Sequence, residues 1–316
     1  MSRGLGDVYK RQIPNRGCHD AIKELYKRLN NTKICYIVDA DIKGFFDHMK
    51  HEWIIKFLNL YIKDPNIIGL VKKYLKVGVL DGGELMMNEE GSAQGNIISP
   101  ILANIYMHNV LTLWYKFIIT KECKGDNFLI VYADDFVAGF QYKWEAENYY
   151  KLLKERMEKF GLQLEESKSR LLQSGAYIAR AKQKSGESTR LETFDFLGFT
   201  FYCGRSRKGM PYIMPKTSSK KFRQKIRDIK VWLYANRDQS LKKLMGMLNL
   251  KLVGHYRYYG ISFNGRMISN YKQQVRELLF KVLNRRSDRK SYTREGFIEM
   301  LKYYPLALPK IYVSLF

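Results

Sequence analysis

The sequence predicts an α+β fold, an antiparallel sheet backed by helices, followed by a basic α-helical region. Three observations carry that expectation. Short apolar and β-branched runs recur in the first two-thirds of the chain, helical periodicity takes over from Ser218 onward, and charge is divided unevenly between the two parts. The formal net charge is +24 over 316 residues, and residues 205–316, with 26 basic and 6 acidic side chains, hold +20 of it. Residues 1–204 carry 29 basic and 25 acidic side chains and are nearly balanced. With 46% hydrophobic and 14% aromatic residues, the chain can bury substantial cores in two or three units, which excludes a disordered polycation.

The elements follow in order. Cys35-Tyr36-Ile37-Val38-Asp39-Ala40-Asp41 reads as a strand, and Trp53-Ile54-Ile55-Lys56-Phe57-Leu58 has the spacing of the helix after it. Residues 64–76 read as a second helix, and Val77 to Glu90 as a hairpin with Asp81-Gly82-Gly83 at its tip. Residues 100–120 read as a long apolar helix capped by Ser99-Pro100. Phe128 to Ala133 and Phe136 to Phe140 are apolar runs separated only by Asp134-Asp135, a hairpin signature with carboxylates at its turn. An amphipathic helix over 144–160 and a strand from Phe194 to Tyr202 complete the first part; 219–236, 239–260 and 268–285 are the helices of the second. Glu187 to Thr189 and Arg205 to Met210 carry loop or linker signals.

No run approaches the roughly 18 uninterrupted apolar residues of a membrane span, and the N-terminus lacks the apolar block of a secretory signal. A cytoplasmic location without a membrane partner is the expectation. Cys18, Cys35, Cys123 and Cys203 form no CxxC pair, which points to reduced thiols rather than a disulfide framework or zinc module. The charge excess favours a polyanion, nucleic acid first and an anionic membrane surface second. In Gly254-His255-Tyr256-Arg257-Tyr258-Tyr259-Gly260 cations alternate with aromatics. Two readings remain for those tyrosines, stacking on bases or packing in a helical core.

Asp41 ends one predicted strand while Asp134 and Asp135 occupy the turn of the hairpin, so sheet formation would gather three carboxylates at one edge. Such a cluster repels itself unless protonated or neutralised, and Mg²⁺ is the usual neutraliser beside nucleic acid. Two ions about 3.5–4 Å apart would activate a 3′ hydroxyl and stabilise in-line phosphoryl displacement, which is nucleotidyl transfer.

Tyr132-Ala133-Asp134-Asp135 resembles the YxDD box of reverse transcriptases, and Asp41-Ile42-Lys43-Gly44-Phe45-Phe46-Asp47 resembles their first catalytic motif. Between them, Gly91-Ser92-Ala93-Gln94-Gly95 followed by Ser99-Pro100-Ile101-Leu102-Ala103-Asn104-Ile105-Tyr106 is similar to the family's GTPQGxxxSPxLANIY segment. That segment, Phe196-Leu197-Gly198-Phe199 and the Gly254–Gly260 stretch together resemble the reverse transcriptase and maturase proteins encoded by group II introns. The resemblance implies a right-hand polymerase: partial fingers and palm over 13–204, and a thumb or maturase domain over 205–316. It assigns Asp41, Asp134 and Asp135 as catalytic residues and ligands of two Mg²⁺ ions. It places Phe46 under the sugar, where its ring would exclude a ribose 2′ hydroxyl, Gln94 and Gly95 against the incoming nucleotide, and Lys168 near the triphosphate. Leu197 and Gly198 fall in the hairpin that supports the primer. The implied partners are intron RNA, an RNA template with its DNA primer, and deoxynucleoside triphosphates.

The sequence departs from the family in places. Ser92-Ala93 replaces the commoner Thr-Pro, and Ser169 stands where threonine is usual. Ile13 to Ala21 resembles the middle of a family motif, so upstream fingers are expected to be missing, and residues 1–12 are expected to be a non-native tail. A non-catalytic RNA-binding splicing cofactor and a domesticated reverse transcriptase of defence or repair are the alternatives.

Overall fold

The computed structural model describes residues 17–76, 79–81, 84–86, 91, 98–285 and 292–316. Helix α1 (Cys18–Asn31) starts where the Asp20 carboxylate accepts from the Gly17 N–H at 2.7 Å, and it buries Ala21, Ile22, Leu25 and Leu29 along one stripe. Strand β1 (Tyr36–Ala40) follows, then helices α2 (His51–Tyr61) and α3 (Pro65–Lys76) and a short hairpin of β2 (Val79–Asp81) and β3 (Glu84–Met86). The tip of that hairpin, Gly82-Gly83, lies outside the described residues.

Helix α4 (Ser99–Met107) begins with Ser99 as its first residue and Ile98 as its cap, with Pro100 in the first turn, where no amide donor is needed. The long helix expected here is not regular. After Met107 the chain winds through two π-helical turns, His108–Thr112 and Tyr115–Ile119, before closing in α5 (Thr120–Glu122). Arg156 donates to the Asn109 and Val110 carbonyls at 3.3 and 3.0 Å, so two acceptors of the widened turn have side-chain partners.

Strands β4 (Asn127–Tyr132) and β5 (Asp135–Phe140) form the expected hairpin, but its turn is Ala133-Asp134, and Asp135 is already the first residue of β5. Helix α6 (Lys143–Lys159), strand β6 (Arg170–Gln173) and helix α7 (Ala176–Lys184) come next. Strands β1, β4, β5 and β6 make an antiparallel sheet in the order β4-β5-β1-β6. One face, with Val38, Ala40, Val131, Phe136, Ala138 and Phe140, packs on a core that includes Phe57, Leu102, Tyr106, Tyr149 and Leu153. The alternate residues Ile37, Asp39, Val137 and Gly139 lie on the other face by the period of two.

The strand expected from Phe194 to Tyr202 is two strands. β7 (Phe194–Phe196) and β8 (Phe199–Arg205) are joined at Leu197-Gly198, both with positive φ, +49° and +79°, the signature of a type I′ turn. With β9 (Pro211–Thr217) they form a three-stranded sheet. Helices α8 (Ser219–Ala235), α9 (Leu241–Tyr259) and α10 (Gly265–Leu283) match the sequence expectation closely, and α11 (Arg294–Tyr303) follows. Ser218 caps α8 by accepting from the Lys221 N–H, and Thr293 caps α11 by accepting from Gly296.

The chain divides into two units, Met1–Leu197 with Cys203–Ile213, and Gly198–Tyr202 with Met214–Phe316. The second is centred on Leu248, Leu252, Tyr256, Tyr271, Val275 and Leu279, all buried. Within it the fully buried Asn264 accepts from the Thr217 N–H and donates to Thr217 Oγ1 and the Tyr259 carbonyl, each at 2.8 Å. Among the described residues no helix is long and apolar enough to cross a membrane. None of the four cysteines is in a disulfide bond.

Candidate active site

Asp41 lies one residue past the end of β1, where the ladder hands the chain to a turn. Its N–H points to Ser169 Oγ at 3.3 Å, and its carbonyl accepts from the Glu165 N–H at 2.8 Å. The backbone is therefore fixed while the side chain stays about two-fifths exposed. Pairing of Ala40 with Phe136, continued by one residue, sets Asp41 opposite Asp135; pairing of Asp39 with Arg170, continued by two residues, sets Asp41 opposite Lys168. The Lys168 ammonium donates to Asp41 Oδ2 at 2.7 Å. That hydrogen bond, more than the accompanying charge, raises the Lys168 pKa, so the lysine is cationic at neutral pH.

Asp134 is half-buried in the two-residue turn and Asp135 is exposed at the start of β5. Ala133 takes φ +57°, the left-handed value demanded at the first central position of a type II′ hairpin turn. The sheet thus brings Asp41, Asp135 and Lys168 to one edge with Asp134 in the adjoining turn. Among the described residues, no group of three or more His, Cys, Asp or Glu side chains is arranged to hold an ion. The donor chemistry nevertheless suits Mg²⁺, since carboxylate oxygens from adjacent strand ends are the hard ligands it takes.

Phe46 sits in the turn after Asp41. That turn closes on Gly44, at φ +52°, whose carbonyl accepts from the Asp47 and His48 N–H groups at 2.9 and 3.2 Å. Phe45 is buried, and Phe46 is half-buried with its ring edge-on to that of Phe45 at 5.5 Å. Gln94 and Gly95 lie outside the described residues.

Sequence reasoning missed Asp39. It shares the Asp41 face of β1, faces Arg170 across the ladder, and has Arg170 Nε 3.7 Å from Oδ2. Burial pushes its carboxyl up to about 6; Arg170 pulls it down, and Asp195 and Asp41 add to the rise. Arg170 also donates to the Thr193 carbonyl at 2.9 Å, which ties β6 to the approach to β7. The available signal was the alternation itself, an acid two residues before Asp41.

In the second unit, α8 exposes Lys220, Arg223, Arg227 and Lys230 along one face. A groove of about 430 Å³ beside α8 is lined by Ile226 and by Asn270, Gln273, Gln274, Glu277 and Lys281 of α10. The tyrosine-rich stretch resolves in favour of core packing: Tyr256 and Tyr259 are buried, and the half-buried Tyr258 stacks on Phe199. His255 is buried too and lies flat on Tyr271 with ring centroids 3.6 Å apart.

Known proteins share much of this chain. Residues 8–201 match the family model for reverse transcriptase (RNA-dependent DNA polymerase), and residues 219–298 match the group II intron, maturase-specific domain. The first match begins inside the segment expected to be foreign. Over 113 residues the chain is 37% identical to the group II intron-encoded protein LtrA of Lactococcus lactis, covering 36% of this chain and 18% of that protein. Over 98 residues it is 39% identical to a 91 kDa protein in the cob intron of Schizosaccharomyces pombe, covering 31% of this chain and 12% of the relative. The aligned segments thus span less than a fifth of these relatives' own length. Among solved structures, apo telomerase from Candida tropicalis aligns with 94% of this chain and 52% of its own at a TM-score of 0.47 and 14% identity. With its antiparallel carboxylate-edged sheet and basic helical region, the chain belongs to the reverse transcriptase (RNA-dependent DNA polymerase) family and carries the group II intron maturase-specific domain.

Proposed function

We propose that this chain is an RNA-directed DNA polymerase that also binds intron RNA as a splicing maturase and acts in the cytoplasm. The observation that carries the reading is the convergence of Asp41 and Asp135 on one sheet edge beside the cationic Lys168. Asp41, Asp134 and Asp135 would hold Mg²⁺. When bound, two such ions supply activation of the primer 3′ hydroxyl and charge neutralisation at the departing pyrophosphate.

The protein's own part is positioning. Backbone bonds at Asp41 fix the carboxylate against the sheet, and the Ala133-Asp134 turn presents its acid at the same edge. Lys168, held by Asp41, is within reach of phosphate oxygens brought to that carboxylate, and its charge stabilises the developing pyrophosphate. The Phe46 ring would meet the nucleotide sugar and exclude a 2′ hydroxyl, and Gln94 and Gly95 would contact the incoming nucleotide. Residues 13–204 are read as palm with part of the fingers and residues 205–316 as the thumb or maturase domain, whose α8 face would grip RNA phosphates.

The test is primer extension on an RNA template with Mg²⁺ and deoxynucleotides, comparing the chain with Asp134→Ala, alongside RNA binding by each. Extension that disappears in the variant while RNA binding persists supports the polymerase. RNA binding without extension by either would leave a splicing cofactor as the reading.

A further inference from the structure

Gly91 heads the stretch that carries Gln94, and it is secured on both sides. Its N–H donates to the Met49 carbonyl at 2.9 Å, and its carbonyl lies 2.6 Å from His51 Nε2. Both partners come directly after the Gly44–Asp47 turn that bears Phe46. Gly91 takes φ +88°, and a Cβ there would stand 2.9 Å from the Asp47 carbonyl oxygen and 3.2 Å from the Asp47 Cα. Only glycine allows the two backbones to approach this closely.

A carbonyl acceptor fixes the role of the imidazole, because Nε2 must carry the proton to donate. Protonation of Nδ1 leaves that donor in place, so the contact persists when the ring is charged. His51 is the first residue of α2, whose Ile54, Phe57 and Leu58 are buried, so a packed helix carries the ring. The Gly44–Asp47 turn belongs to no strand or helix. Its backbone is braced by Lys43 donating to the Gln163 carbonyl at 2.9 Å on one side and by Gly91 on the other. Removing the His51 bond leaves the second brace on a single hydrogen bond.

We propose that His51 is a positioning residue for sugar selection: by holding the Gly91 carbonyl it braces the turn that sets the height of the Phe46 ring. This rests on the polymerase reading of Asp41 and Phe46. A ring that excludes one hydroxyl works by contact, and a displacement of about 1 Å is enough to cost two orders of magnitude where geometry is the discriminator.

The experiment compares the full chain with His51→Ala, His51→Gln and Gly91→Ala in two measurements. The first is kcat/KM for a deoxynucleoside and the matching ribonucleoside triphosphate in RNA-templated primer extension. Expected is a loss of about tenfold in deoxy-over-ribo preference for His51→Ala, expressed in KM rather than kcat, with most of it recovered in His51→Gln, whose amide can donate to the same carbonyl. Gly91→Ala should lose the preference too. The second is hydrogen exchange at the Gly91 amide, expected to quicken in His51→Ala while β1 and β5 amides keep their rates. An unchanged sugar preference in a chain that does extend primers overturns the inference, as does unchanged exchange at Gly91. Failure of the unaltered chain to extend any primer would instead strike the polymerase reading and the sugar-selection role with it, while exchange still decides whether His51 braces Gly91.

Discussion

Lys168 and Asp41 meet at the candidate active site with 2.7 Å from Nζ to Oδ2, although both are well exposed to water. Exposed pairs contribute little to stability, so the contact's consequence lies in chemistry. Lys168→Ala is expected to leave the melting temperature within about 2 °C while lowering the rate of nucleotide addition by about 10²-fold, the scale of losing one charged stabiliser of a transition state. Single-turnover primer extension measures it, and an unaltered rate would remove Lys168 from the site.

RNA binding should depend on α8. Replacing Lys220, Arg223, Arg227 and Lys230 by Ala removes four exposed cations from one face. The slope of log affinity against log salt is expected to become shallower by about one for each phosphate that is no longer neutralised. A titration of structured RNA at several salt concentrations reads this directly. A slope that does not change would place the RNA-binding surface elsewhere.

Stability should fall with acid because of His255. Burial, with Lys225 nearby, holds its pKa down to about 3, and its Nε2 has no hydrogen-bond partner. The unfolded chain takes up a proton near pH 6.5 that the folded chain refuses until about pH 3. Stability contributed by the neutral ring is therefore complete above pH 6.5 and declines as pH falls through that window, by up to about 1.4 kcal/mol per unit. His255→Phe, which keeps an aromatic ring against Tyr271, should flatten the decline in urea midpoint between pH 7 and pH 5. A parallel decline in both proteins would exclude His255 as its source.

Gly139 faces Phe128 across the β4–β5 ladder, and a Cβ on Gly139 would lie 2.3 Å from a Phe128 ring carbon. Gly139→Ala should cost about 2 kcal/mol by forcing that ring out of place. Pairing the substitution with Phe128→Leu should recover part of the loss, as urea unfolding of the two variants would reveal.

What could be read from the sequence, and what could not, follows from periodicity. β1, β4 and β5 announce themselves because each holds a short run rich in apolar, β-branched and aromatic residues, and α8 to α10 because apolar positions recur over five turns. β6 has only four residues, and β9 contains Pro211 and Pro215, which argue against a strand although burial alternates residue by residue. α1 went unread because the apolar stripe of Ala21, Ile22, Leu25 and Leu29 is diluted by His, Lys, Arg and Asn on its other faces. At the site, the order of the motifs located Asp41 and Asp135. The turn between β4 and β5 was misplaced by one residue, since turn propensities favour Asp134-Asp135 while the chain puts Ala133 at positive φ. Alternation puts Asp39 on the Asp41 face, but its depth was not legible, because an acid inside a strand gives no sign of burial until the neighbouring strands are known.

The two π-helical turns carry a consequence for how this region tolerates change in length. Each holds one residue more than an α-turn, and a residue is worth about 100° of rotation. Tyr115, which donates to Asn127 at 2.9 Å, and Ile119, which is buried, point inward with the first surplus residue absorbed by the widened turn. Deleting one of residues 108–112 would let that turn close to α geometry and leave the faces from Tyr115 to Glu122 in place, whereas a deletion in the regular turns of α4 would swing everything after it by about 100°. Single-residue gaps in alignments of related chains should therefore fall within 108–112 or 115–119 and not within α4.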